Sequence, residues 1–387
     1  MKNPARKTYL LQASLFLLTF FTTTAAGAEW MTGRSLLDPE QGLARPGLSW
    51  SDFWSGLHYS VPFLTILTVH EFGHYFVARA NRVRVTLPYY LPLWFGIGQT
   101  FGTLGAFIRI QEYIRSRKKY FDIGLAGPLA GFVVALGVLW YGFTHLPPLE
   151  YVFSIHPEYR QYGAAYGDYA YAKMPPGVLM TFGDNLLFWF FKTYVADPAR
   201  MPHPYEIIHY PYLLAGYFSL FFTALNLIPI GQLDGGHVLY GLIGRRAFNV
   251  VAPVLFVSFT FYSGIGLFRP SDFALANDTL FLEQLGKLFV YVFVLYLSFL
   301  RLNHSRMTAL MTALGVVAGQ FLLSIMRPEW EGYPGFLLFI FVLGRFLGIY
   351  HPATEENEPL DTRRKVLGWL ALLIFVLCFS PKPFIIQ

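Results

Sequence analysis

Two histidines and a glutamate lie within five positions of the segment TVHEFGHYFVARA, residues 68–80. In a helix, residues four positions apart are separated by about 40° around the axis, so His70 and His74 project from one face. Two imidazoles at this spacing can bind one tetrahedral Zn²⁺, and Glu71 then lies beside the metal without having to bind it. Zinc lowers the pKa of a bound water towards ~7, and a nearby carboxylate can take its proton and deliver it to a leaving amine. These residues therefore predict amide hydrolysis.

A tetrahedral zinc site with one open position needs a third protein ligand. The best candidate is Asp234, in the segment TALNLIPIGQLDGGHVLY at residues 223–240. Asn226 and Pro229 end an apolar stretch of this segment, which frees backbone groups. Gly235 and Gly236 would let the backbone pass close to another helix.

Other polar residues receive simpler interpretations. Asp122 is a weaker ligand candidate, more typical of a helix end, and Asp184 is a poor one because we expect it on the opposite face of the membrane. His237 follows the Asp-Gly-Gly turn and either supports the metal ligands or caps a helix. His351 is interpreted as a loop residue. The only cysteine, Cys378, rules out an intrachain disulfide and is interpreted as a packing residue.

Composition indicates that these segments lie in a membrane protein. Charged residues make up only 13% of the 387 residues, against about 25% in ordinary soluble domains. A bilayer-spanning helix needs ~20 mostly apolar residues. We predict an all-α polytopic membrane protein of about eight to nine transmembrane helices, with candidate spans near 8–27, 56–79, 120–144, 208–228, 248–268, 285–300, 307–326, 334–350 and 366–380.

The first span resembles a signal peptide, with a basic start and the small-residue end AAGA. Its apolar run of ~20 residues is longer than a usual signal core, and its Thr cluster suits helix packing. We expect it to be retained as the first helix.

The distribution of Lys and Arg predicts the orientation. A cytoplasmic N-terminus places 19 of the 29 basic residues on the cytoplasmic side. His70, His74 and Asp234 then all lie in the cytoplasmic part of the membrane, and the loop at 146–207 lies on the other face. The net charge of +6 is thus a topology signal. No basic aromatic groove indicates nucleic-acid binding.

Residues 84–111 are rich in Gly, Pro and β-forming residues, and GTLGAFIRI within them predicts a strand after a turn. We expect a β-hairpin insertion associated with the membrane. The predicted regions are an N-terminal helix and external loop at 1–55, a motif core at 56–245 and additional helices at 246–387.

The HEFGH motif, together with Asn226-x-x-Pro229-x-x-x-Leu233-Asp234-Gly235, resembles the site-2 proteases, intramembrane zinc metalloproteases that cut single-span substrates. FDIGLAGPLAGF at 121–132 resembles the family's middle motif through Gly127 and Gly131, a pattern equally typical of helix packing. HPAT and PLDTRR near 351–364 resemble the tail of a bacterial and plastid branch. No stretch is long enough for a PDZ domain.

The resemblance implies that His70, His74 and Asp234 bind Zn²⁺ and that Glu71 is the catalytic base. It implies that Asn226 assists substrate or oxyanion binding, and that the hairpin presents substrate as an extended strand by edge pairing. We therefore expect a zinc metalloendopeptidase of regulated intramembrane proteolysis. Its expected partners are single-span membrane proteins and the lipid bilayer.

Three other functions are compatible with parts of this sequence. A catalytically silent protein could hold membrane segments with the same hairpin, although it would be free to lose its zinc motifs. A transporter would predict charges in several helices and an internal repeat. Prenyl-protein proteases typically supply a glutamate as third ligand. The N-terminus is short and only modestly basic, unlike an organellar transit peptide, so we expect the inner (cytoplasmic) membrane of a bacterium.

Overall fold

The computed structural model describes residues 4–37, 47–172, 174–175, 177, 179–274, 278–302 and 305–387. Lys2, one of the residues behind the orientation prediction, lies outside them. Most of the described residues are helical, in the order α1 (Pro4–Thr32), α2 (Trp50–Ser55), α3 (Leu57–Ala80), α4 (Arg117–Thr144), α5 (Glu150–Ile155), α6 (Tyr166–Ala170), α7 (Leu186–Tyr194), α8 (Pro211–Leu227), α9 (Asp234–Ser263), α10 (Asp278–Phe299), α11 (Arg306–Met326), α12 (Leu337–Val342) and α13 (Thr362–Cys378). The strands that the structure describes are β1 (Tyr89–Leu93), β2 (Gly102–Phe107), β3 (Met180–Phe182) and β4 (Phe384–Ile386).

Five of the described helices, α1, α4, α9, α10 and α11, are long and apolar enough to cross a membrane. Shorter apolar helices cover Pro211–Leu227 and Pro334–Leu347. The chain is thus a mostly helical, multi-pass membrane protein. The total of eight to nine spans stays a prediction. Helix α9 begins at Asp234 and is interrupted at Gly244, just before the predicted span near 248–268.

The described residues form two compact units, of which the first comprises residues 1–113, 125–226 and 373–387. Its core is aromatic and centres on Phe218 of α8. The ring of Phe218 lies 5.5 Å from that of Trp30, 6.1 Å from that of Tyr59 and 4.8 Å from that of Phe101, measured between centroids. Edge-to-face pairs at such distances add about 0.5–1.5 kcal/mol each beyond the area they bury. This cluster ties α1, α3 and α8 together.

Strands β1 and β2 of this unit pair antiparallel, from Tyr89 opposite Phe107 to Leu93 opposite Gly102. The register shifts before Pro92, which has no N–H to give to the ladder. The side of α1 holds the pair in place, because Thr22 Oγ1 donates a hydrogen bond to the Gly102 carbonyl at 2.8 Å. Association of this insertion with the membrane stays a prediction.

The last strand, β4, pairs antiparallel with β3, between Met180–Phe182 and Phe384–Ile386. The hydroxyl of Tyr217 donates to the carbonyls of Gly183 and Pro383, both at 2.7 Å. The end of the chain is therefore fixed to the segment that precedes α7. This sheet was not predicted from the sequence.

The second unit comprises residues 114–124 and 227–372. Its helix α9 is interrupted at Gly244, where φ is 75°, a conformation that glycine tolerates. The guanidinium of Arg117 donates to the Gly241 carbonyl at 2.7 and 3.1 Å. This contact fixes Arg117 next to the break. The predicted regions 1–55, 56–245 and 246–387 stay a prediction.

Candidate metal centre

Helix α3 presents the His-Glu-His motif from the interior of the first unit. His70, Glu71 and His74 are 6%, 4% and 7% exposed. The Nε2 atoms of His70 and His74 lie 3.0 Å apart. Two nitrogens bound to one tetrahedral zinc at 2.0–2.1 Å lie roughly 3.3 Å apart. The two side chains therefore fit a shared zinc ion, although their roles as ligands stay a prediction.

Small residues of α4 bring that helix close to the motif. A Cβ added at Gly127 would lie 2.1 Å from Nε2 of His74, and one at Gly131 would lie 3.0 Å from Cβ of His70. On α3, a Cβ at Gly73 would lie 2.7 Å from the carbonyl oxygen of Ala126. The glycines that the sequence analysis singled out thus leave room for the two imidazoles.

A small cavity of about 30 Å³ adjoins His70. Asn226, near the end of α8, lines it, as do Gly105 of β2 and Thr223 of α8. A volume of this size holds one water molecule, and the amide and imidazole supply polar partners. The structure therefore places Asn226 and His70 at one cavity, while a catalytic role for Asn226 stays a prediction.

Asp234 is the first residue of α9 in the second unit. A Cβ at Gly235 would lie 2.0 Å from the Leu227 carbonyl oxygen, and one at Gly236 would lie 2.4 Å from that of Gly231. Only glycine allows the start of α9 to approach the preceding backbone this closely. The two glycines therefore determine the position of the Asp234 backbone at the start of α9. The role of Asp234 as third ligand stays a prediction.

His237, one turn into α9, contacts a residue that the sequence analysis undervalued. His351 was interpreted as a loop residue, and it does lie in a loop, but it is only 8% exposed. Its Nδ1 lies 2.7 Å from the Pro352 carbonyl and so must donate, which leaves Nε2 to accept from Nδ1 of His237 at 2.8 Å. The ring of His351 also stacks on Tyr240 at 3.8 Å.

Burial, together with neighbouring His237, lowers the pKa of His351 to about 3. The His351 ring is therefore neutral at physiological pH. Its Nε2 can accept the hydrogen bond from His237 and so fix the orientation of the His237 ring. In the sequence, His351 stands out only as part of the HPAT segment, which gives no indication that its side chain is buried.

The two other carboxylates considered as ligands are engaged in ion pairs. Both oxygens of Asp122 accept hydrogen bonds from the Arg364 guanidinium, at 2.7 and 2.8 Å. Asp184 pairs with Lys192 of the following helix, α7. A carboxylate held in a bidentate pair with arginine is a poor ligand for a metal. These ion pairs agree with the lower ranking of Asp122 and Asp184 as candidate zinc ligands.

A family model described as "Peptidase family M50" matches residues 58–263. No solved structure matches.

Among curated proteins, the chain is similar to the "Probable zinc metalloprotease EGY1, chloroplastic" of Oryza sativa subsp. japonica, with 26% identity over 253 residues, 62% of this chain and 38% of the relative. The protein of the same name from Arabidopsis thaliana is 27% identical over 252 residues, 62% of this chain and 40% of the relative. The "Probable zinc metalloprotease EGY2, chloroplastic" of Oryza sativa subsp. indica is 28% identical over 226 residues, 58% of this chain and 34% of the relative. The matches therefore span about two fifths or less of these relatives.

Proposed function

Because the chain belongs to peptidase family M50, we propose that it is an intramembrane zinc metalloprotease. Membership confirms the resemblance to site-2 proteases that the two motifs predicted. The proposed reaction is hydrolysis of peptide bonds in or next to the membrane-spanning segments of single-span proteins.

One observation carries the proposal, namely the buried His70 and His74 pair on α3, whose Nε2 atoms are 3.0 Å apart, with Glu71 in the same turn. In the proposed centre, His70, His74 and Asp234 hold Zn²⁺. When bound, zinc would lower the pKa of a coordinated water to ~7 and polarise the attacked carbonyl. Relatives that carry the name zinc metalloprotease support this choice of metal.

Glu71 is the proposed base. It takes a proton from the attacking water and delivers it to the nitrogen of the departing amine, so that the nitrogen does not have to leave as an anion. Glu71 is 4% exposed and lies between the two histidines on α3, which supports this role.

Asn226 is the proposed positioning donor for the substrate carbonyl. Its amide N–H groups can donate to an oxygen that gains negative charge during attack. The cavity of about 30 Å³ that Asn226 shares with His70 has room for one water molecule, which supports this assignment.

Strand β2 is the proposed docking edge for substrate. Gly105 of β2 lines the same cavity as His70, and Leu104 beside it is largely exposed. A substrate that pairs with β2 would become extended, and extension exposes amides that a helix shields. The proposed location is the inner membrane of a bacterium, with the site facing the cytoplasm.

Removal and restoration of zinc test the proposal. Purified protein in liposomes would be stripped with a chelator, assayed on a panel of single-span membrane peptides and reloaded with zinc. Cleavage should disappear on stripping and return with zinc in wild type and in the control His145→Ala, whose ring lies at the exposed end of α4. It should not return in His74→Ala.

Cleavage that survives both chelation and His74→Ala would contradict the proposal. A zinc-loaded, folded wild type that retains peptides without cutting them would favour the alternative, a catalytically silent protein that binds membrane segments.

A further inference from the structure

A second cluster of metal-binding side chains lies in the segment between α4 and α8. It consists of His156, which follows α5, and of Glu206 and His209 in the 3₁₀ turn Pro204–His209. One ligand atom from each lies within 4.8 Å of the others. A 3₁₀ helix has three residues per turn, so residues three apart stack on one side and Glu206 and His209 face the same point.

The distances in this cluster are close to those of a metal site. His156 Nε2 lies 3.3 Å from His209 Nε2. Glu206 Oε2 lies 3.9 Å from His156 Nε2 and 3.8 Å from His209 Nε2. Ligand atoms around a tetrahedral zinc are separated by roughly 3.3 Å. Movements well under 1 Å would therefore complete a three-ligand site.

The hydrogen bonds of the imidazoles direct their lone pairs into the cluster. His209 Nδ1 lies 2.9 and 3.0 Å from the carbonyls of Trp30 and Met31, which can only accept, so Nδ1 carries the hydrogen. Nε2 of His209 then carries no hydrogen, and its lone pair points towards His156. A backbone carbonyl that fixes the tautomer in this way is the usual support of a metal-binding histidine.

His156 has the same arrangement. Its Nδ1 lies 3.5 Å from Glu158 Oε1, and that carboxylate favours a hydrogen on Nδ1. Nε2 of His156 then lies 3.3 Å from Nε2 of His209, a separation at which the two nitrogens share either one hydrogen or one metal ion.

Glu206 supplies the negative charge. It is 1% exposed, and its Oε1 accepts a hydrogen bond from the Tyr171 hydroxyl. Its Oε2 is buried without a hydrogen-bond partner among the described residues. Within the same residues, the only ion-pair partners of Glu206 are the two imidazoles. A buried carboxylate without a cation costs several kcal/mol.

We propose that His156, Glu206 and His209 bind a divalent transition-metal ion, for which zinc is the best fit. Two neutral imidazoles and one carboxylate suit zinc, whereas calcium and magnesium prefer all-oxygen sites. Water would occupy the fourth position, and His156, at 26% exposure, provides the route by which the ion arrives. Through His209, the ion would fix the 150–209 segment to the last turn of α1.

The test counts zinc in full-length, detergent-solubilised protein by mass spectrometry. In a His70→Ala/His74→Ala background, one zinc per chain should remain. Adding Glu206→Gln or His156→Ala should weaken this binding by on the order of 100-fold or more, because a ligand is lost. Adding His145→Ala should not. Glu206→Gln keeps the side-chain shape and an acceptor for Tyr171, so it serves as the variant least prone to misfold.

Cobalt supplies a second readout, since the background should give the visible absorption of tetrahedral Co²⁺ and Glu206→Gln should lose it. If the background does not fold, the otherwise wild-type chain replaces it, and Glu206→Gln should then lose one zinc equivalent. A background that is folded but holds no zinc, or zinc content unchanged by both Glu206→Gln and His156→Ala, would overturn the proposal. Failure of the proposed protease centre would instead leave one zinc in both wild type and background.

Discussion

Gly127 of α4 lies directly against the imidazole of His74, so that a Cβ at position 127 would come within 2.1 Å of Nε2. Since real side chains never approach so closely, either α4 or the imidazole must move in Gly127→Ala. A displacement of this kind misplaces a predicted zinc ligand, and we expect cleavage to fall by at least ~100-fold. Bound zinc should fall with it.

Gly137→Ala is the matched control, because it lies on the same helix and an added Cβ would meet no atom within 4 Å. Cleavage assays and zinc analysis of both variants would decide the matter. Equal activity of Gly127→Ala and Gly137→Ala would contradict the packing argument.

Asn226→Ala tests the positioning role of the amide. Loss of one donor to a developing oxyanion typically costs about 10²–10³ in kcat. We expect such a loss with zinc content unchanged, because Asn226 is not a proposed ligand. Thr223→Ala, at the same cavity, is the control and should retain most activity. A parallel loss of thermal stability and zinc in Asn226→Ala would instead indicate a structural role.

Substitution with asparagine distinguishes the role of Asp234 from that of Asp122. Asp234→Asn should lose zinc, since it removes the charged ligand that we propose. Asp122→Asn should keep zinc and lose about 1 kcal/mol or less of stability, because the partly exposed Arg364 guanidinium keeps Asp361 as an ion-pair partner. Metal analysis and thermal unfolding would measure both. Zinc lost from Asp122→Asn but kept in Asp234→Asn would reverse the assignment.

His351 predicts a pH dependence of stability. Its pKa is lowered to about 3, against about 6.5 in an unfolded chain. Above pH 6.5 the ring is neutral in both states, and as the pH falls only the unfolded state gains a proton. Stability should therefore decline below pH 6.5, by about 1 kcal/mol at pH 5.5. In His351→Gln this part of the decline should vanish, as seen in unfolding midpoints between pH 7.5 and 5.5. Identical pH profiles for the two proteins would contradict the assignment.

Local patterns predicted the features that depend on neighbours along the chain. The spacing of His70 and His74 predicted their shared face, and the glycines at 127 and 131 predicted close helix packing. Both follow from helix geometry alone. The break before Asp234 was also predicted, from Asn226 and Pro229. Helix α9 begins at Asp234 despite the low helix propensity of Gly235 and Gly236, because their close approach to the preceding backbone outweighs propensity.

Features that join distant residues were not predicted. The pairing of β3 with β4 connects residue 180 with residue 386. His156 and His209 are 53 positions apart, with no periodicity between them. His351 reaches His237 across 114 positions. Single-sequence patterns carry no information on such contacts, which depend on how the whole chain packs.

The role of Glu71 is the central claim, and Glu71→Gln tests it most directly. Wild type, Glu71→Gln and the exposed control Glu150→Gln would be compared in liposomes for bound zinc and for cleavage of single-span membrane peptides. We predict zinc in all three, with cleavage reduced by about 10²–10⁴-fold only in Glu71→Gln. Cleavage by Glu71→Gln at the wild-type rate would contradict the account.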